Sequence, residues 1–99
     1  MSDVAAAKKD HELTVTVHDE DDGGIFHIAG NPQDQVQAVV DRLYHDHLHR
    51  ERLDGDRLRC DGSGDDVFSH LSQHLRAYES THCHALVWNF IGDQGGAIE

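Results

Sequence analysis

The sequence predicts one α+β domain built on a mixed sheet, and three observations predict it. A strictly alternating run, "ELTVTVHD", lies near the start, and a continuous apolar run, "CHALVWNFI", lies near the end. Between them, "NPQDQVQAVVDRL" and "DDVFSHLSQHLRAY" carry apolar residues at helical spacing. Ninety-nine residues suffice for one core and not for two. The helices are separated by a short strand signal, so the order is strand, strand, long helix, strand, shorter helix, strand, one α+β unit.

Each element has its own warrant. In "ELTVTVHD" Leu13, Val15 and Val17 share one face and Thr14, Thr16 and His18 the other, the mark of a half-buried strand. "DEDDGG" reads as an acidic turn, and "IFHIAG" returns as the second strand of a hairpin. Asn31 is the expected N-cap of the next element, with Pro32 at the first helical position and Asp34 in the first turn. Val36, Val39, Val40, Leu43 and Leu48 form its apolar stripe, and Asp54-Gly55 ends it, a helix of about five turns against the usual three or so. "RLRC" is a third strand with Leu58 and Cys60 inward. Ser63 and Asp66 have capping-box spacing ahead of a second helix, about Asp65 to Glu79, burying Phe68, Leu71, Leu75 and Tyr78. The last strand, apolar on both faces, belongs in the middle of the sheet beside the first.

Composition excludes several classes. Nineteen acidic against eight basic residues give a net charge of -11, which a nucleic-acid backbone or an anionic membrane would repel. No run approaches the roughly 18 apolar residues of a membrane span. The first residues lack a signal-peptide pattern, so cytoplasmic residence is the expectation. In that compartment Cys60 and Cys83, without CxxC spacing, read as packed thiols rather than a disulfide. The only lysines, Lys8 and Lys9, lie at the N-terminal end.

Taken in order, "ELTVTVHD…GIFHIAG", "NPQDQVQAVVDRL", "DRLRCDG" and "HALVWNFIGDQGG" resemble the β-grasp ubiquitin-like family over roughly residues 12–96. The resemblance implies a β-grasp fold: a mixed four- to five-stranded sheet, one long helix packed on it and a second shorter helix. It divides the chain into an N-terminal tail, 1–11, a folded domain, 12–91, and a diglycine tail with a three-residue extension, 92–99. Gly95-Gly96 is its narrowest feature. Glycine has no Cβ, so such a tail can enter a tight channel beside a nucleotide and leave its carbonyl open to attack. The resemblance then implies a protein modifier, cut between Gly96 and Ala97 by a JAB/JAMM-type metalloprotease. Gly96 would be activated by a ubiquitin-type activating enzyme, which uses ATP and Mg, passed through a conjugating enzyme and joined to target proteins in a bacterial pathway of antiviral or stress defence. The chain itself would carry no cofactor and no catalytic group. Lys8 and Lys9 are the candidate chain-linkage amines. Ubiquitin's tail is basic and leucine-rich ahead of its diglycine, whereas this chain has Ile91-Gly92-Asp93-Gln94 there.

Two other readings stay open at this level: a sulfur carrier whose terminal glycine becomes a thiocarboxylate, and a non-covalent binding module sharing the fold. Trp88, Phe90 and Ile91 are candidates for a partner surface on the last strand. Trp88 and Phe90 alternate to one side, Val87 and Ile91 to the other, and the sequence does not say which side faces out. Ten histidines invite a metal reading. His70 and His74 are one helical turn apart, and "HCH" sets His82 and His84 on one face of an extended segment. With neither CxxC nor HExxH to frame them, solvated histidine and no metal is the expectation.

Overall fold

The computed structural model describes residues 12–93. One mixed sheet of four strands has the order β2-β1-β4-β3, formed by β1 Leu13–Asp19, β2 Ile25–Gly30, β3 Arg57–Cys60 and β4 Val87–Ile91. The β1–β2 hairpin is antiparallel, with Val15 opposite Ile28 and Val17 opposite Phe26. β4 lies parallel to β1, Val17 opposite Trp88, and antiparallel to β3, Leu58 opposite Phe90. The first and last strands are therefore the central pair, as the apolar character of "LVWNF" requires. Parallel neighbours need a crossover, and the helices between β2 and β4 supply it.

The inward residues of the sheet, Val15, Val17, Ile28, Leu58, Trp88 and Phe90, pack with Val36, Val39, Val40, Leu43, Leu75 and Tyr78 in one core. Thr14, His18, His27, Arg57 and Arg59 are exposed on the other face. The architecture is α+β, with four strands where four to five were expected.

Both helices differ from the sequence reading. The first, α1 Val36–Arg42, begins four residues after the expected Pro32 start. It continues as a π-helical turn, Leu43–Leu48, and His49 in the left-handed conformation (φ 58°) ends it. The second splits into a short 3₁₀ helix, Val67–His70, and α2 Leu75–Thr81. The cause is a reciprocal arrangement of the two N-termini. Val36 N–H donates to Gln73 O (2.8 Å) and Gln37 N–H to Leu71 O (2.9 Å), while Leu75 N–H donates to Asp34 O (2.7 Å) and Arg76 N–H to Pro32 O (3.1 Å). The first amides of each helix find acceptors in the loop before the other, so residues 32–35 and 71–74 serve as caps and are withdrawn from the helices. Among the described residues, no helix is long and apolar enough to cross a membrane.

Cys60 and Cys83 are joined in a disulfide with Cα atoms 5.8 Å apart, which corrects the expectation of packed thiols. Cys60 ends β3, and Cys83 sits in the turn after α2 rather than on a strand. Sequence spacing could not show this closeness. The pairing of β3 with β4 creates it, because Cys60 lies opposite Trp88, just beyond that turn. The bridge closes a loop over a sequence separation of 23, worth about 3 kcal/mol in the chain-entropy account. Denaturant unfolding with and without reductant, or of Cys60→Ser with Cys83→Ser, is therefore expected to show a loss of about 3 kcal/mol with the fold retained at low denaturant.

Candidate functional site

Gly95, Gly96 and Ala97, like Lys8 and Lys9, lie outside the described residues. The structure does describe the segment from which the diglycine departs. β4 ends at Ile91, and the two residues after it are held by carboxylates from elsewhere in the chain. Gly92 N–H donates to Asp21 Oδ2 (2.8 Å) and Asp93 N–H to Asp56 Oδ1 (2.7 Å). Asp93 in turn accepts from Gly55 N–H through its own Oδ2 (3.0 Å).

Asp56 is the centre of this cluster, its side chain fully buried. Its Oδ2 accepts from Tyr44 Oη (2.8 Å), Arg50 Nη1 (3.0 Å) and Leu53 N–H (2.9 Å), and its Oδ1 from Arg50 Nη2 (3.1 Å) as well as Asp93. Arg50 thus makes a two-pronged pair with the carboxylate, the strong form of the interaction. Its guanidinium also lies 5.7 Å from the Tyr44 ring centre and 5.6 Å from that of Phe90. Burial by itself would raise the Asp56 carboxyl, but Arg50, the Leu53 and Asp93 amides and the Tyr44 hydroxyl hold it down at about 2. Burial, reinforced by the Asp56 carboxylate, pushes the Tyr44 hydroxyl well above the ordinary phenol range.

Two glycines make room for this arrangement. A Cβ at Gly92 would fall 2.8 Å from Asp21 Oδ2 and 3.0 Å from Arg50 Nη2, and one at Gly55 would fall 2.7 Å from the Asp93 carboxyl carbon. At sequence level Asp54-Gly55 reads as a helix stop and Asp21 as one of several turn acids. Asp56, Arg50 and Asp21 carry no signal that would tie them to the tail.

The expected partner surface on β4 resolves into two parts. Trp88 and Phe90 are core residues, 0% and 2% exposed, which corrects their place among candidate docking residues. Ile91 is 40% exposed on the outer face, where it pairs with Arg57 of the edge strand β3. Asn89, also on the outer face, donates to Asp61 (2.8 Å).

Of the four histidines singled out, the fold brings two together. His70, at the end of the 3₁₀ helix, and His82, just after α2, stack with ring centres 3.8 Å apart. His82 Nδ1 is 3.0 Å from Asp65 Oδ2. His74 caps α2 from its N-terminal side and His84 is exposed in the turn before β4, so "HCH" is not the strand the sequence suggested.

No family model matches the chain, and no curated protein matches it.

The Asp56 pairing sets an acid dependence. Its carboxyl is depressed in the folded state relative to about 3.9 in an unfolded chain, so its stabilisation is complete above about pH 4 and is lost as pH falls toward 2. The amount is about 2 kcal/mol. Urea unfolding followed between about pH 5 and about pH 2 is expected to show that loss, and Asp56→Asn to be less stable by a similar amount at neutral pH with a shallower acid dependence.

Proposed function

We propose that this chain is a ubiquitin-like protein modifier of the β-grasp type, with the Gly96 carboxylate, released by cleavage before Ala97, as its working group. The observation that carries the reading is the anchored exit of β4. The last strand is central in the sheet, and the backbone just beyond it is fixed by Asp21 and Asp56 two residues ahead of Gly95-Gly96. A fixed root just ahead of the diglycine suits insertion into an enzyme channel.

The chemistry belongs to partner enzymes of the class the resemblance implies. The Gly96 carboxylate attacks the α-phosphorus of ATP in the activating enzyme and releases pyrophosphate. An enzyme thiolate then displaces AMP to give a thioester, and a target amine displaces the thiol to give an amide. The chain's own two cysteines are bonded to each other, so each thioester sulfur is an enzyme's. Cytoplasmic residence belongs to the same proposal because the cascade needs ATP. There the buried Cys60–Cys83 bridge has to persist against a reducing poise.

The deciding experiment uses the chain ending at Gly96, an activating enzyme from the same host, ATP and Mg. A thiol-sensitive adduct of enzyme and chain is expected, absent with Gly96→Val. Intact-mass spectra from host cells should show loss of Ala97-Ile98-Glu99. A spectrum in which the three residues always persist, with no adduct formed, removes the proposal; a new terminus bearing sulfur in place of oxygen assigns the chain to sulfur transfer instead.

A further inference from the structure

Among the described residues, one cluster outside the tail root has the chemistry of a site. Asp65, His70 and His82 each offer a donor atom, and these donors all lie within 4.8 Å of one another. Two imidazoles and one carboxylate form a donor set of nitrogen and oxygen. Imidazole suits zinc and its first-row neighbours, whereas magnesium and calcium take oxygen.

The three residues come from three segments, and the backbone of two is fixed by contacts independent of the cluster. His82 precedes Cys83, which the disulfide ties to Cys60. Ser63 Oγ donates to His82 O (2.9 Å) and accepts from Asp65 N–H (3.2 Å), so one hydroxyl links the two segments. Asp65 O accepts from Cys60 N–H (2.9 Å). His70 closes the 3₁₀ helix that Asp66 caps through Phe68 N–H (3.1 Å). Carboxylate and imidazoles therefore converge on a frame built from β3, the bridge and Ser63. All three side chains are partly exposed, which gives an ion a path in.

We propose that Asp65, His70 and His82 bind one zinc ion, with a fourth position left to water. Bonds of about 2.0–2.1 Å set tetrahedral donors roughly 3.4 Å apart, so the side chains draw in by on the order of 1 Å while the backbone stays in place. The ion takes the place of the hydrogen bond between Asp65 Oδ2 and His82 Nδ1, and the His82 ring then carries its proton on Nε2. Its effect is a second cross-link at the Cys60–Cys83 end of the fold, joining the 3₁₀ helix to the end of α2.

The proposal is independent of the modifier reading and is tested on the full chain, with its disulfide intact and no reductant, by titration with zinc sulfate. Calorimetry is expected to show one equivalent bound well above the weak background of the remaining histidines. His70→Gln and His82→Gln are each expected to weaken that equivalent by more than about tenfold, and Asp65→Asn to weaken it as well. A variant with His74→Gln and His84→Gln should keep it. Zinc should raise the Tm of the wild type and of that control, and not that of His82→Gln. Equal zinc binding by wild type and His82→Gln, or only a weak multi-site isotherm in both, overturns the assignment. Circular dichroism of each variant separates lost binding from lost folding, and Asp65→Asn at a partly exposed position keeps the test decisive if a histidine variant unfolds.

Discussion

The Asp56 carboxylate accepts five hydrogen bonds, from Tyr44 Oη, both terminal nitrogens of Arg50, Leu53 N–H and Asp93 N–H. They reach it from the helical segment, the loop after it and the exit of β4, so one buried anion joins three parts of the chain. Burying a charge is costly unless it is paired and its lone pairs are filled, and here both conditions hold. The π-helical turn belongs to the same construction. It follows Arg42 and includes Tyr44, and His49 in the left-handed region ends it where Arg50 must fold back toward Asp56. A regular helix continued through Arg52, as the sequence suggested, would carry Arg50 along its own axis instead of back to the carboxylate.

A different device holds the opposite side of the helical layer. Two seven-residue helices are each too short to be stable alone in water. Neither has a side-chain cap at its N-terminus. Each instead receives carbonyls from the loop leading into the other, and the antiparallel bridge between Gln35 and His74 sets the two loops in register. Folding of one helix therefore depends on the other, and their apolar residues, Val36 and Val39 with Leu75 and Tyr78, enter the same core. The disulfide fixes the far end of this pair, after α2, against β3.

Strand identity, strand order and much of the core were legible because alternation and apolar runs report burial directly: Leu13 to Val17 and Leu58 with Cys60 fall where the pattern put them, whereas only the fold shows that Trp88 and Phe90 face inward. Helix boundaries were not, because Asn31-Pro32 has the local signature of a helix start while the amides of Val36 and Gln37 are satisfied by distant carbonyls. Leu86 shows the same limit: it is buried in the left-handed conformation (φ 52°), where no local rule would put a leucine. The tail root was illegible for a related reason. Asp21, Asp56 and Asp93 are three of nineteen acids, and only the tertiary fold distinguishes those that accept backbone amides. Of the histidines, spacing found His70 and His82 but not their partner Asp65, which lies in a loop with several other acids.

The choice of carboxylates to hold the tail root has an electrostatic consequence for the proposed function. A backbone amide is satisfied equally well by a carbonyl, a hydroxyl or a carboxylate, but only the last brings a charge. Arg50 pairs with Asp56, and the carboxylates of Asp21 and Asp93 lie at the same exit, where they accept from Gly92 N–H and Gly55 N–H. Ubiquitin's tail is basic, whereas here Asp21, Asp56 and Asp93 lie where β4 ends, on a chain of net charge -11. On the proposed function, an activating enzyme that draws in Gly95-Gly96 would meet this net negative charge with a cationic rim. Its association should be fast at low ionic strength and slow in salt, because exposed charges of this kind steer encounter more than they add to affinity. On this reading the acids serve twice, fixing where the tail leaves the fold and selecting which enzyme can receive it.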